Sequence, residues 1–580
     1  MLKNRLWCLF IVIMTSPTHA QTDPALRDLT DRFWEVQMEF APTRATALGD
    51  YRYNDRIADL SADARRRWRE KIDQLLSDLG RVSRTALSPD DQLTHRICER
   101  TLRDDIMHWE CGDYLTPLDP LSGAHLDLPL LLVSHPFRNA KDYHDYISRL
   151  HGWEKQVSDL IANMRDGLRK EVVSPRAIVE KVIPQVRTHI VPSAEKSEFF
   201  APMRMVDALS DIDRAAIDRE LRDVITKEVV PGYLRLLSFL EDEYLPFARE
   251  TVGIGALPGG QEVYTAKAYL NTTVRTPPAE IHALGLSEVE RIRGEMDKVR
   301  SEVGFTGTLD EFLAHMRTDP KQRFTSGEEL FQAADVILKR AQSKMPQLFG
   351  RLPKADCVMK ELEAFRAPAS PVAYYNPAPA DGSRPGYYYI NTYAPQERLR
   401  FTLEALTYHE AVPGHHLQYM LDQENKDLPK FRRYASYNAY GEGWALYTEK
   451  LGYEIGGYAD PYSRFGQLTF EIWRACRLVV DTGMHHKGWS RQQAIDYMLA
   501  NSSLAKLDIE SEIDRYITWP GQALSYKIGE IRIIQLRKDA EAALGDKFNL
   551  RSFHDYLLSG GQMPIDILEE RMKEWVSRQN

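Results

Sequence analysis

The sequence is poor in cysteine. It has five in 580 residues and none in a C-x-x-C pair, so neither a cysteine zinc module nor a dense disulfide framework fits. It lacks a basic excess: the net charge of −9 argues against a nucleic-acid or anionic-membrane surface. It lacks a fixed-period repeat and any low-complexity tract, which excludes solenoids and arrays. Beyond the first twenty residues it has no apolar run long enough to cross a bilayer. What remains is 43% apolar and 27% charged, an ordinary globular profile on a chain long enough for an ample core.

Those first twenty residues, MLKNRLWCLFIVIMTSPTHA, read as a cleaved export signal. Lys3 and Arg5 form a basic head, Leu6 to Met14 an apolar stretch too short to span, and Thr18-His19-Ala20 a cleavage site. The mature chain is then periplasmic or secreted, has no membrane attachment, and carries a net charge of −11 once Lys3 and Arg5 are gone. Cys8 lies upstream of the cleavage site and is not read as a lipid-bearing cysteine. Cys98 and Cys111 are the pair an exported chain would bridge; the sequence leaves bridge and free thiols open.

Most of the chain has helical period. In residues 61–80, Ser61 is an N-cap, Gly80 a C-terminal stop, and Trp68, Ile72, Leu75, Leu76 and Leu79 form one stripe. Similar stripes recur at 141–166, 209–227, 279–300, 328–345, 397–410, 434–452, 466–486, 490–500 and 522–544. Two stretches break the pattern. Residues 252–275, rich in glycine and threonine, look like a turn and short strands. Residues 367–386, with five prolines, read as loop. That loop runs into YYYINTY (387–393), whose aromatic and β-branched residues predict a short strand.

The chemistry concentrates in TYHEAVPGHHLQYM, residues 407–420. It begins as H-E-x-x-H, a pair of zinc-binding histidines one helical turn apart, but Pro413 stands where the second histidine belongs. On a regular helix His415, six residues after His409, is rotated by about 240°, and His416 rises about 10.5 Å, too far to share one ion. Pro413 and Gly414 interrupt the helix. A two-residue bulge at Val412-Pro413 would return His415 to the ligand position, leaving His416 behind the ligands or facing substrate; His416 as the second ligand stays open. A third ligand and one open position complete a catalytic zinc site. Glu442, in YGEGWALYTEKL (440–451), is the first choice and Glu449, on the same helix face, the rival.

These residues carry a resemblance. YYYINTY, HEAVPGHHLQ, YGEGWALYTE, RLVVDTGMHHKGW and WPGQALSYKIGE, in that order, look like the large bacterial family named domain of unknown function 885, which is grouped with zinc peptidases that use a glutamate as third ligand. The resemblance covers essentially the whole mature chain, most specifically 374–540. It implies a mainly α fold, similar to the carboxypeptidase and oligopeptidase group, with a deep channel and a small β-sheet beside the metal helix. The N-terminal helical half would be 21–275 and the catalytic half 276–580, together one continuous domain.

The expected activity is therefore that of an exported zinc metallopeptidase, with one Zn2+ per chain and short peptides as substrates. Glu410 would be general base. Tyr526 or His485 would donate to the oxyanion, with Asp481 orienting His485. Arg477 or Arg537 would clamp a substrate carboxylate, against the plainer role of a salt bridge. The strand Tyr387–Asn391, through Tyr389 and Asn391, would hold extended substrate at a sheet edge. The alternatives are a zinc amidase acting on a non-standard amide such as a cell-wall peptide, and a non-catalytic helical binding protein. Oligomeric state is not legible.

Overall fold

The computed structural model describes residues 22–579 apart from 205–208, 364–366, 368–370, 380, 381 and 383; the leader of the first twenty residues lies outside them. The fold is mainly α with one small sheet. The helices follow from the stripes. In Ala62–Leu79 the Ser61 hydroxyl accepts from the Ala64 N–H, and Ile72, Leu75 and Leu79 are buried.

Eight helices matter for the site: α1 (Pro89–Glu110), α2 (Pro278–Glu302), α3 (Leu403–Glu410), α4 (His415–Glu424), α5 (Asn438–Leu451), α6 (Pro461–His485), α7 (Lys506–Thr518) and α8 (Leu524–Leu544). Three strands, β1 (Cys357–Glu361), β2 (Ala373–Asn376) and β3 (Gly386–Ile390), form a sheet of order β1-β3-β2, with β3 parallel to β1 and antiparallel to β2.

Two expectations are corrected here, and one question the sequence left open is answered. Residues 260–272 form a helix, Gly260–Thr272; Tyr264 and Ala268, one turn apart, are buried and fix it against the core, so packing overrides the β-leaning composition. The proline-rich loop contains β2, because four residues between its prolines pair with β3. Cys98 and Cys111 are both free. They belong to one helix, Cys98 inside α1 and Cys111 at its C-cap, so the helical rise alone separates them by about 20 Å, far beyond disulfide reach.

The largest apolar cluster joins residues between Leu26 and Leu102 to others between Ala268 and Trp575. At its centre α5 crosses α8 at glycine contact: a Cβ on Gly443 would lie 2.5 Å from the Gly529 Cα. Beside that crossing lies a buried ionic network. Lys527 pairs with Glu530 at 2.6 Å and Glu471 at 2.9 Å, and Lys450 meets both carboxylates at 2.9 Å. Glu288 of α2 also reaches Lys527, at 3.1 Å. Removing one partner of such a network strands a buried charge, so α2, α5, α6 and α8 are held as one frame for the site.

Candidate metal centre

The H-E segment is the end of one helix and the second histidine the start of another. Helix α3 stops at Glu410 and α4 begins at His415. The sequence-level expectation of a two-residue bulge is thus replaced by a full break. The His416 N–H reaches back to the Ala411 carbonyl at 3.1 Å, and the Trp444 indole N–H of α5 donates to the Pro413 carbonyl at 3.0 Å. The chain folds so tightly here that a Cβ on Gly414 would sit 1.8 Å from the His409 carbonyl oxygen and 2.4 Å from that of Tyr408. The break does what a bulge would have done: it brings the His415 ring beside that of His409, with centroids 4.9 Å apart and planes at 87°.

Glu442, from α5, completes the group. Its Oε2 lies 3.4 Å from His409 Nε2 and 3.6 Å from His415 Nε2, and one ligand atom from each of the three residues falls within 4.8 Å of the others. These separations are long for hydrogen bonds but near the tetrahedral edge of about 3.4 Å set by metal–ligand arms of about 2.0–2.1 Å. Tautomers agree. Glu449 Oε1 is 2.9 Å from His409 Nδ1; a carboxylate only accepts, so Nδ1 carries the proton and Nε2 offers its lone pair. Glu449, the rival third ligand, therefore orients a histidine instead. A zinc ion fits this donor set.

His416 faces the other way. Its Nε2 bonds the Ala355 carbonyl at 3.1 Å, so it is the donor, and Nδ1 accepts from the Tyr375 hydroxyl at 2.9 Å. Burial lowers its pKa to about 4. With both nitrogens committed and the ring buried, it does not face substrate; it ties α4 to the sheet.

Glu410 is half-buried at the end of α3, and its Oε2 accepts from the Tyr375 backbone N–H at 3.1 Å. The strand beside the site is thus β2. Strand β3, expected at an edge, is central, and its residues are spent otherwise. Tyr388 bonds Thr407 of α3 at 3.1 Å. Tyr389, on the opposite face, stacks on Tyr374 at 4.9 Å, and the Asn391 amide donates to the Ala367 carbonyl at 2.8 Å. Neither Tyr389 nor Asn391 reaches the metal cluster. The Asn391 N–H donates to the Val372 carbonyl, so by antiparallel alternation Ala373 and Tyr375 turn their backbone groups away from β3.

Tyr526, on α8, lies beside the cluster. Burial and then the Glu442 carboxylate push its hydroxyl up, while Arg477 and Arg515 draw it down. Arg477 lies over its ring, 4.0 Å from the centroid. His485 is not brought to the site. Its Nδ1 accepts from the Ile254 N–H at 3.1 Å, Nε2 donates to the Tyr516 carbonyl at 2.9 Å, and burial lowers its pKa to about 3. Asp481 does not orient it either, accepting instead from the Tyr264 hydroxyl at 2.6 Å and the Gly521 N–H at 3.1 Å. Arg537 is a salt-bridge residue, paired with Glu541 at 2.8 Å and with Glu454. Tyr419, which no sequence motif marks, joins the group: its ring lies 5.5 Å from that of His415, and burial, Glu442 and Glu410 raise its pKa. The His415/Tyr419 spacing of one helical turn was the available signal.

A family model described as bacterial protein of unknown function (DUF885) matches residues 42–572. The chain belongs to that family. No curated protein matches it. Among solved structures, a candidate lipoprotein from Colwellia psychrerythraea is 28% identical with a TM-score of 0.88, covering 96% of this chain and 100% of its own. A candidate lipoprotein of unknown function from Shewanella oneidensis is 17% identical with a TM-score of 0.73, covering 94% of this chain and 99% of its own, and bears on the fold alone. Among the described residues of this DUF885 chain no helix is long and apolar enough to cross a membrane.

Proposed function

We propose that this DUF885 protein is an exported zinc metallopeptidase that hydrolyses short peptides, with a fold similar to the carboxypeptidase and oligopeptidase group. The observation that carries the proposal is the placement of Glu410: a carboxylate not needed for ligation follows the first histidine directly and is pinned by an N–H of the strand next to the cluster. Mere metal storage gives that carboxylate no task. Export is supported by the leader-like N-terminus and by the lipoprotein description of the Colwellia psychrerythraea structure.

His409, His415 and Glu442 would hold a zinc ion, which would supply a Lewis acid and lower the pKa of a water towards about 7. Glu410 takes a proton from the attacking water and returns it to the leaving nitrogen. Tyr526 offers an O–H donor where the carbonyl oxygen gains charge, with Tyr419 on the His415 side. The backbone groups of Ala373 and the carbonyl of Tyr375, which turn from β3, receive extended substrate as an added strand, while the Tyr375 N–H stays with Glu410.

The test is a short-peptide library incubated with zinc-loaded protein and read by mass spectrometry, beside Glu410→Gln. Cleavage at ordinary peptide bonds, slowed about 10²–10⁴-fold in the variant, supports the proposal. Products from non-standard amides alone would make it an amidase. No cleavage, or equal rates in the variant, would refute it.

A further inference from the structure

A buried arginine, Arg477, and a partly buried one, Arg515, stand next to Tyr526, and their charge is not balanced. Arg477, on α6, has a side chain 4% exposed. Its Nε donates to the Tyr516 hydroxyl at 2.7 Å and its Nη2 to Glu512 Oε2 at 3.0 Å. Its Nη1 is buried and has no partner among the described residues. Arg515, on α7, donates through Nη2 to the same Glu512 oxygen at 2.9 Å, through Nε to Oε1 at 3.3 Å, and through Nη1 to Gln522 Oε1 at 2.5 Å. Two guanidiniums therefore share one carboxylate.

The neighbouring acids are engaged elsewhere. Glu442 faces the two histidines, Glu449 holds His409 and lies 3.7 Å from Arg474, and Asp508, one turn before Glu512, is drawn by Arg398. One positive charge is left over in a mostly buried cluster, where an unmatched charge is costly. The Arg477 guanidinium is stacked on Tyr526, whose hydroxyl feels the Glu442 carboxylate of the metal group.

The geometry points to Arg477 and Arg515 as the pocket for a substrate's C-terminal carboxylate, which makes the enzyme an exopeptidase working from the C-terminus. The inference rests on the peptidase proposal and names its substrate class. The surplus of a single charge matches a monoanionic carboxylate, and a fork of N–H donors matches its planar geometry. Glu512 sets the charge of the pocket, and Tyr516 and Gln522 hold the two guanidiniums.

The test compares one peptide with a free C-terminus and its C-terminal amide, using zinc-loaded wild-type protein, Arg515→Met and Arg477→Lys, each checked by thermal melting for a folded state. Loss of charge-assisted hydrogen bonds predicts that the wild type favours the acid by about 10- to 100-fold in kcat/KM. Both variants should bring that ratio towards unity, Arg477→Lys included, because lysine keeps the charge and loses the fork. Equal rates on acid and amide by the wild type, or a ratio untouched by both variants, would overturn the inference and leave the peptidase proposal standing. Calorimetric binding of acid and amide to Glu410→Gln separates the two claims. Preference for the acid without hydrolysis of any peptide by the wild type would keep the pocket and sink the peptidase. Equal binding of both would sink the pocket.

Discussion

Gly414→Ala probes the break that brings the histidines together. The added methyl would meet the His409 carbonyl oxygen at 1.8 Å and that of Tyr408 at 2.4 Å. Both are backbone atoms, so no side chain can swing aside. Relief requires the turn between α3 and α4 to open by roughly 1 Å or more, and this displacement falls between the two histidines. A metal site tolerates about 0.5 Å of misplacement. Overpacking of this kind costs about 1–3 kcal/mol in stability. If a similar penalty falls on ligation, zinc affinity drops by about 10- to 100-fold. The assay is zinc titration against a chelator of known affinity, alongside thermal melting. Gly294→Ala is the control. That glycine is exposed in α2 with nothing within 4 Å of its Cβ position, so alanine should stabilise by about 0.5–1 kcal/mol and leave zinc affinity alone. A Gly414→Ala protein that binds zinc as the wild type does would refute the steric argument.

Further outcomes follow from single contacts. Glu449→Gln removes the carboxylate on His409 Nδ1 and should weaken zinc binding about 10- to 100-fold without unfolding the protein, read by the same titration. Tyr526→Phe should lower kcat by about 10²–10³ with little change in KM, in a peptide-hydrolysis assay. Acid should destabilise the fold. Burial lowers the pKa of both His485 and His554 to about 3, so their contribution is complete above the unfolded value of about 6.5 and is lost as pH falls towards 3. Each costs about 2 kcal/mol by pH 5, visible in melting curves across that range and reduced in His554→Gln. Reducing agent should leave the melting temperature unchanged, because Cys98 and Cys111 are unbridged.

Long apolar stripes made the helices legible: the 466–486 stripe became Pro461–His485 and the 522–544 stripe Leu524–Leu544. The helix at Gly260–Thr272 was not legible because its anchor is tertiary, through Tyr264 bonding Asp481 some 217 residues away. The three residues that converge were readable because ligand chemistry is local: a histidine beside a glutamate, a Pro-Gly interruption, and a downstream carboxylate on a helix. Their surroundings were not. Which strand of the sheet would be central depends on pairing between segments, and β2 is hidden among prolines. Asp481 and His485 sit one turn apart, yet each finds a nearer partner from another element, so spacing misled. Glu512 and Arg515 carried no motif; only the packing of α7 against α6 reveals that they share their charge with Arg477.

The most direct test of the central claim is metal content by elemental analysis, on the purified mature protein and on Glu442→Ala. The account predicts about one zinc per chain in the wild type and loss of that zinc in the variant. Zinc retained by Glu442→Ala, or a wild type that takes up none when zinc is offered, would contradict it.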